Sequence, residues 1–461
     1  MNAKVSLAAS RDLAYHLHPT TNLASVQTEG PLVITRGDGV YVIDEDGNRY
    51  LEGMAGLWCA SLGFSETRLA EAAYRQMKEL PFYHAFSGKV AKISTELAER
   101  LVGIAPQGLS KVFFANSGSE ANDSAVKLVW YYNNALGRPE KKKFISRRKA
   151  YHGMTVAAAS LTGLPFAHGD FDVPAARFIH TETPHYWRMG RDGESEEAFA
   201  ERLALELDRL ILAEGPDTVA AFIAEPVMGA GGVIVPPPTY FERVQQVLAK
   251  HEVLMIADEV ICGFGRTGNM FGSQTFGIRP DILTCAKQLT SGYQPMSAMM
   301  VSPAIYSVLE DQSRKLGIFG HGFTYSGHPV PAAVALETLR IYEERNILDH
   351  VRALATIMQD GLQGLADHPL VGQARGVGLI GALELVRDKA GKISYDPKAG
   401  VAAQAVRFAQ QRGLILRSLP GDVVTVCPPL VIAPHEMREL LAGLTGALND
   451  AWDWVKAGGL S

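Results

Sequence analysis

The stretch VAAFIAEPVMGAGGVIVPPPTYFERVQQVLAKHEVLMIAD, residues 219–258, begins and ends on short apolar runs, VAAFIA and VLMIAD, with a longer mixed segment between them. Runs of this length, bounded by Gly, Pro and charged residues, read as buried strands. The same alternation recurs on both sides. VFFA (Val112–Ala115), FIS (Phe144–Ser146) and FIH (Phe178–His180) come before it, and ILTCA (Ile282–Ala286) and SAMMV (Ser297–Val301) come after. Amphipathic segments separate these runs, which predicts an α/β fold with a mostly parallel sheet covered by helices.

Farther out the pattern changes. VITRGDGVYVIDEDGNRYLEGMAG (Val33–Gly56) alternates β-rich runs with Gly-Asp and Asp-Gly turn signals and predicts antiparallel hairpin strands. From Pro331 the chain is helix-rich, with strand-like runs at Gly378–Leu385 and Leu414–Leu416 and a last helix from His435. Three segments follow: 1–65, an N-terminal arm and part of a small unit; 66–330, the large domain; and 331–461, a second α+β part.

The 461 residues are 47% hydrophobic and 20% charged, the composition of a globular chain that buries a sizeable core. A net charge of −5 gives no broad attraction to nucleic acid or anionic lipid. The longest apolar stretch, Val219–Pro238, is broken by Glu225 and several prolines and glycines, unlike a lipid-spanning helix. Cys59, Cys262, Cys285 and Cys427 have neither disulfide-framework nor zinc-site spacing. These features predict a soluble, cytoplasmic protein without a structural metal. The basic run Lys141–Lys143 with Arg147–Lys149 reads as a solvated face. His16 and His18 are spaced like a metal pair, but no cysteine or further histidine lies near them, so they read as part of an arm packing on a partner subunit. Gly229–Gly232 lacks the GxGxxG spacing of a dinucleotide loop.

In open α/β sheets, ligands collect at the carboxyl ends of strands. VFFA leads into Asn116-Ser117-Gly118-Ser119-Glu120-Ala121-Asn122, a hydroxyl-rich turn opening a helix, which serves either as a plain N-cap or as a phosphate cup. VLMIAD ends in Asp258, a carboxylate that needs a positive partner if buried, for structure or for function. ILTCA is followed by Lys287, in a charge-poor stretch where an ammonium is costly. His321–Pro329, rich in glycine and hydroxyls, reads as a binding loop. Together a phosphate cup, a strand-end Asp and a strand-end Lys are what a pyridoxal phosphate (PLP) enzyme needs.

NSGSEAN (116–122), YHG (151–153), EPVMGAGGVIVPP (225–237), ADEVICGFGRTG (257–268) and TYSGHP (324–329) make the chain resemble a class III (omega) aminotransferase of PLP fold type I, from about His18 to the last helix. The resemblance implies an aspartate aminotransferase-like large domain and a small α+β domain built from both termini. It implies that Lys287 carries the internal aldimine and shuttles the proton, while Asp258 pairs with the pyridinium nitrogen. Ser117, Gly118 and Ser119 would hold the phosphate, with Thr324 reaching it from the neighbouring subunit of a homodimer; pairing of dimers into tetramers stays open. Tyr151 would stack on the ring, Val260 would pack the other face, and His152 and Glu225 would belong to the cofactor site. The family commonly has a glycine where this chain has Gln288.

Relatives that use 2-oxoglutarate carry a second Glu after the EP motif and an Arg before the late PPL motif; here those positions are Ala230 and Thr425. Arg417, in LRSLPGD, instead resembles the mobile arginine of pyruvate-dependent amine and ω-amino acid transaminases. Trp58 and Phe86 would line the substrate pocket with Tyr151, and Phe82 and Tyr83 are further candidates that could equally be dimer packing. The expected reaction is ping-pong transfer from an amine or an ω-amino acid such as β-alanine to pyruvate. A class III racemase, aminomutase or decarboxylase, or a 2-oxoglutarate-dependent ω-aminotransferase, is the alternative.

Overall fold

The computed structural model describes residues 6–459; residues 1–5 and 460–461, the outer ends of the first and last expected segments, lie outside the described residues. The expected hairpins are β1 (Ile34–Asp38), β2 (Tyr41–Asp44) and β3 (Arg49–Glu52), paired antiparallel in succession. All seven apolar runs then become strands: β4 (Lys111–Ala115), β5 (Lys143–Arg147), β6 (Phe178–Thr181), β7 (Val219–Ala224), β8 (Leu254–Asp258), β9 (Ile282–Cys285) and β10 (Ser297–Val301). They form one sheet in the order β4-β10-β9-β8-β7-β5-β6. Only β10 is reversed, running antiparallel to both β4 and β9.

The burial of β7 explains its composition. Every residue of VAAFIA is buried, because helices cover both faces and neither can be polar. Phe222 and Ala224 enter one apolar cluster and Ala221 and Ile223 another, the two-residue period of a strand between two layers. The helix Tyr240–Lys250 crosses from β7 to β8 and buries Phe241, Val244 and Leu248 against the first cluster.

The remaining strands are β11 (Val371–Val377), β12 (Ile380–Leu385), β13 (Leu414–Ile415), β14 (Arg417–Leu419) and β15 (Val423–Val426). Four of them form the sheet β11-β12-β15-β14, while β13 joins β3 in parallel, with Leu414 opposite Leu51. A strand from each end of the chain thus shares one sheet. β11, β14 and β15 were not anticipated; β11 carries Gly, Gln and Arg among its residues and lacks a continuous apolar run.

The basic run is a solvated face only in part: Arg148 and Lys149 are exposed, Lys142 and Lys143 half-buried. Lys141 is buried, and its ammonium donates to the carbonyls of Pro216 and His251 at 3.2 and 3.0 Å. Arg147 is fully buried and donates to the main-chain carbonyl of Glu225 at 2.6 Å. These cations close loop carbonyls that a buried strand end would otherwise leave unpaired.

Candidate active site

β4, β8 and β9 run in the same direction, so Ser117, Asp258 and Lys287 emerge at one edge of the sheet. They line an open cavity of about 1140 Å³, together with Trp58, Tyr151 and Arg417. That volume accommodates a cofactor and a small substrate side by side.

Asp258 is buried at the tip of β8. The cationic partner expected from its burial is replaced by a set of donors. Nδ1 of His152 and Nδ2 of Asn122 each approach Oδ2 at 2.8 Å, and the amide of Val260 donates to Oδ1 at 3.1 Å. Asn122 is itself fixed: it donates to the His152 carbonyl and accepts from Thr284 Oγ1 on β9. The motif containing Asn122 was recognised, but this role was not, since an amide one turn into the helix Gly118–Ala135 gives no sign of which strand end it meets. Nε2 of His152 is buried without a partner among the described residues.

Ser117 caps the helix Gly118–Ala135, its Oγ accepting from the amide of Glu120 at 3.2 Å. The amides of Gly118 and Ser119 have no acceptor among the described residues, leaving a helix start able to hold an anion. Two glycines keep this corner tight. A Cβ on Gly118 would lie 3.0 Å from Val260, and one on Gly153, whose φ is +131°, would lie 2.4 Å from Ser119 Oγ.

Glu225 accepts from the amides of Tyr151 and Gly229 at 3.0 and 2.9 Å, and burial pushes its pKa up. Tyr151 lines the cavity, and burial raises its pKa too. Lys287 begins a short 3₁₀ turn with φ +50°, a left-handed conformation uncommon for a lysine. The next residue anchors that turn. The Gln288 side chain is fully buried, donating to the carbonyls of Ile261 and Gly263 at 3.0 and 2.7 Å and accepting from Arg266 at 3.2 Å. A glycine there could make none of these bonds.

Arg417 opens β14, and its guanidinium carbon lies 5.2 Å from the centre of the Trp58 ring. Burial lowers its pKa, and no carboxylate among the described residues pairs with it. Lys287 Nζ lies 5.8 Å from the same ring. The Trp58 ring is thus approached by both basic side chains. Its loop is held by Glu52, whose carboxylate accepts from the amides of Met54 and Gly56 and whose pKa burial pushes up to about 7. Ala230 lines the cavity, while Thr425 is buried on β15, opposite Arg417 of β14, and donates to the Arg417 carbonyl.

Not every candidate is brought in. Phe86 is 47% exposed, packs on Gly322 and does not line the cavity of its own chain. Phe82 and Tyr83 are likewise exposed, and Thr324 is exposed and away from the cavity. Pro19 and Thr20, which the sequence did not single out, do line it.

The family model Aminotransferase class-III matches residues 23–448. Gamma-aminobutyrate transaminase 1, mitochondrial, from Oryza sativa subsp. indica is 55% identical over 420 residues, covering 91% of this chain and 81% of that protein. The omega transaminase of Pseudomonas jessenii in complex with PMP has a TM-score of 0.96 at 54% identity, covering 98% of this chain and all of that one. A thermostable omega transaminase variant, W58M/F86L/R417L, engineered for asymmetric synthesis of enantiopure bulky amines, has a TM-score of 0.96 at 53% identity, with 97% and 100% coverage. A transaminase solved with L-alanine has a TM-score of 0.90 at 56% identity, with 92% and 100% coverage. The mitochondrial rice relative overturns the expectation of a cytoplasmic protein.

Proposed function

The chain belongs to the class-III aminotransferases, PLP-dependent enzymes of amino-group transfer, and from that premise we propose that it moves the amino group of an ω-amino acid or amine to pyruvate. The observation that carries the reading is Arg417: a half-buried guanidinium without a carboxylate partner among the described residues, beside the Trp58 ring that Lys287 also approaches. Such a group is free to clamp the carboxylate of an oxo acid with two parallel hydrogen bonds. A second cavity carboxylate would compete for it, and position 230 is alanine.

The residues fit the cofactor: the open amides at Gly118 and Ser119 suit its phosphate, and the buried Asp258 suits a ring N–H. PLP, when bound, supplies an electron sink for the charge left on the reacting carbon. Asp258 then holds a proton on the ring nitrogen, with His152 and Asn122 keeping the carboxylate in position. Tyr151 and Val260, which line the cavity, would flank the ring. Nζ of Lys287 would take the proton from the substrate carbon that bears the amine and hold it for return later in the cycle. Trp58 excludes water and receives the apolar part of an amine donor. Thr324 and Phe86 belong to the pocket of a second copy, in a homodimer whose sites are shared; their exposure and distance from their own cavity support this.

The relatives support the substrate reading. Gamma-aminobutyrate is an ω-amino acid, and L-alanine is what pyruvate becomes on amination. The substitutions W58M, F86L and R417L of the engineered neighbour carry the residue types and numbers of Trp58, Phe86 and Arg417 here. The test is to load the protein with pyridoxamine phosphate, offer pyruvate and 2-oxoglutarate separately, and follow return of the absorbance of bound PLP. Return with pyruvate and not with 2-oxoglutarate is expected; the opposite preference would overturn the acceptor assignment.

A further inference from the structure

Ser6 caps the helix Leu7–Tyr15 by accepting from the amide of Ala9 at 3.0 Å, and this helix puts Asp12 and His16 one turn apart on the same face. His16 is already extended, and the chain returns so that His18 meets Asp12 as well. Nδ1 of His16 lies 2.8 Å from Oδ1, and Nε2 of His18 lies 2.6 Å from Oδ2. The two imidazole centroids are 4.5 Å apart, and one donor atom from each of the three side chains falls within 4.8 Å of the others. The histidine pair thus has the third ligand that thiols and imidazoles elsewhere could not supply.

We propose that Asp12, His16 and His18 bind a divalent late first-row transition ion, of which Zn²⁺ is the type. Two imidazoles and one carboxylate match the donor set of such ions and leave a position for water, whereas Mg²⁺ and Ca²⁺ call for oxygen ligands throughout. The nitrogens now turned to the carboxylate are those the ion takes, with the ring protons moved to the opposite nitrogens. Beside them is a cavity of about 290 Å³ whose apolar wall includes Leu17, Leu23 and Val26. Gln27, on the helix Leu23–Glu29, ties that helix to Leu7–Tyr15 by donating to the Leu13 carbonyl at 3.2 Å. Pro19 and Thr20, directly after His18, line the catalytic cavity, so the ion anchors the segment that forms part of its wall.

The test is calorimetric titration of chelator-treated holoenzyme with ZnCl₂, alongside thermal unfolding with and without zinc. Wild type is expected to bind one equivalent more tightly, by about tenfold or more, than His16→Ala, His18→Ala or Asp12→Asn, and to gain Tm with zinc where the variants do not. Without zinc the variants should match wild type in Tm and in amino-transfer rate, since none of the three residues lines the catalytic cavity. Identical zinc isotherms for wild type and the His16→Ala/His18→Ala double variant would overturn the site.

Discussion

Nδ1 of His152 lies 2.8 Å from Oδ2 of Asp258, and Asn122 donates to the same oxygen from the opposite element. A hydrogen bond to a buried charge contributes about 1.5–3 kcal/mol. Asn122→Ala is therefore expected to weaken retention of PLP and slow the half-reaction by about ten- to a hundredfold, measured by dialysis and stopped-flow absorbance. An unchanged half-reaction would mean that β8 alone orients Asp258.

Lys287→Ala removes the only amine among the residues lining the cavity. The visible absorbance of the lysine-bound cofactor should vanish. Turnover should fall by about 10²–10⁴-fold or more, as expected for loss of a positioned proton carrier.

Arg417→Ala should raise KM for pyruvate by about ten- to a hundredfold, the worth of a charge-assisted bond to a carboxylate. With an amine donor that has no carboxylate, the donor half-reaction should change far less. Steady-state kinetics with the two substrates varied separately read the difference, and an equal loss for both would assign Arg417 to structure.

Glu52, pushed up to about 7 by burial, keeps its proton in the folded chain where an unfolded glutamate, near 4.5, has lost it. The fold binds the extra proton, so this contribution to stability is complete below about pH 4.5 and lost as pH rises through about 7. Glu52→Gln should flatten the fall in Tm over that window, as followed by scanning calorimetry. A Tm profile unchanged by the substitution would show that Glu52 titrates normally.

Gln288→Gly opens a buried gap and strips partners from two carbonyls and from Arg266. At about 1–3 kcal/mol for each unsatisfied group, Tm should drop clearly. The lysine-bound absorbance should survive, because Lys287 itself is intact.

The large sheet was legible because each of its strands is an apolar run between turn signals, and Asp258 and Lys287 were legible because they break those runs at their ends. β11 was hidden by its Gly, Gln and Arg residues, whose burial only the folded partner strands create, whereas β15, Val-Val-Thr-Val, carried a β-branched strand signal that is only four residues long. Long-range polar pairings escaped for the same reason: Asn122 to Asp258, Gln288 to Arg266 and Arg147 to Glu225 join positions far apart in the chain. Local spacing carries no record of them. Phe86 was chosen from a motif, and a motif does not say whether a side chain lines the cavity of its own chain.

The single reversed strand of the large sheet also has a consequence during synthesis. β4 stands at the sheet edge with β10 as its only neighbour, and Ala115 pairs with Ser297. A ribosome that has made the Ser117–Ser119 turn must continue past Val301 before the strand beneath it has a hydrogen-bonded partner. Until then β4 is an unpaired edge exposed to other nascent chains, and ordering of the Ser117–Ser119 turn awaits this late, non-local closure.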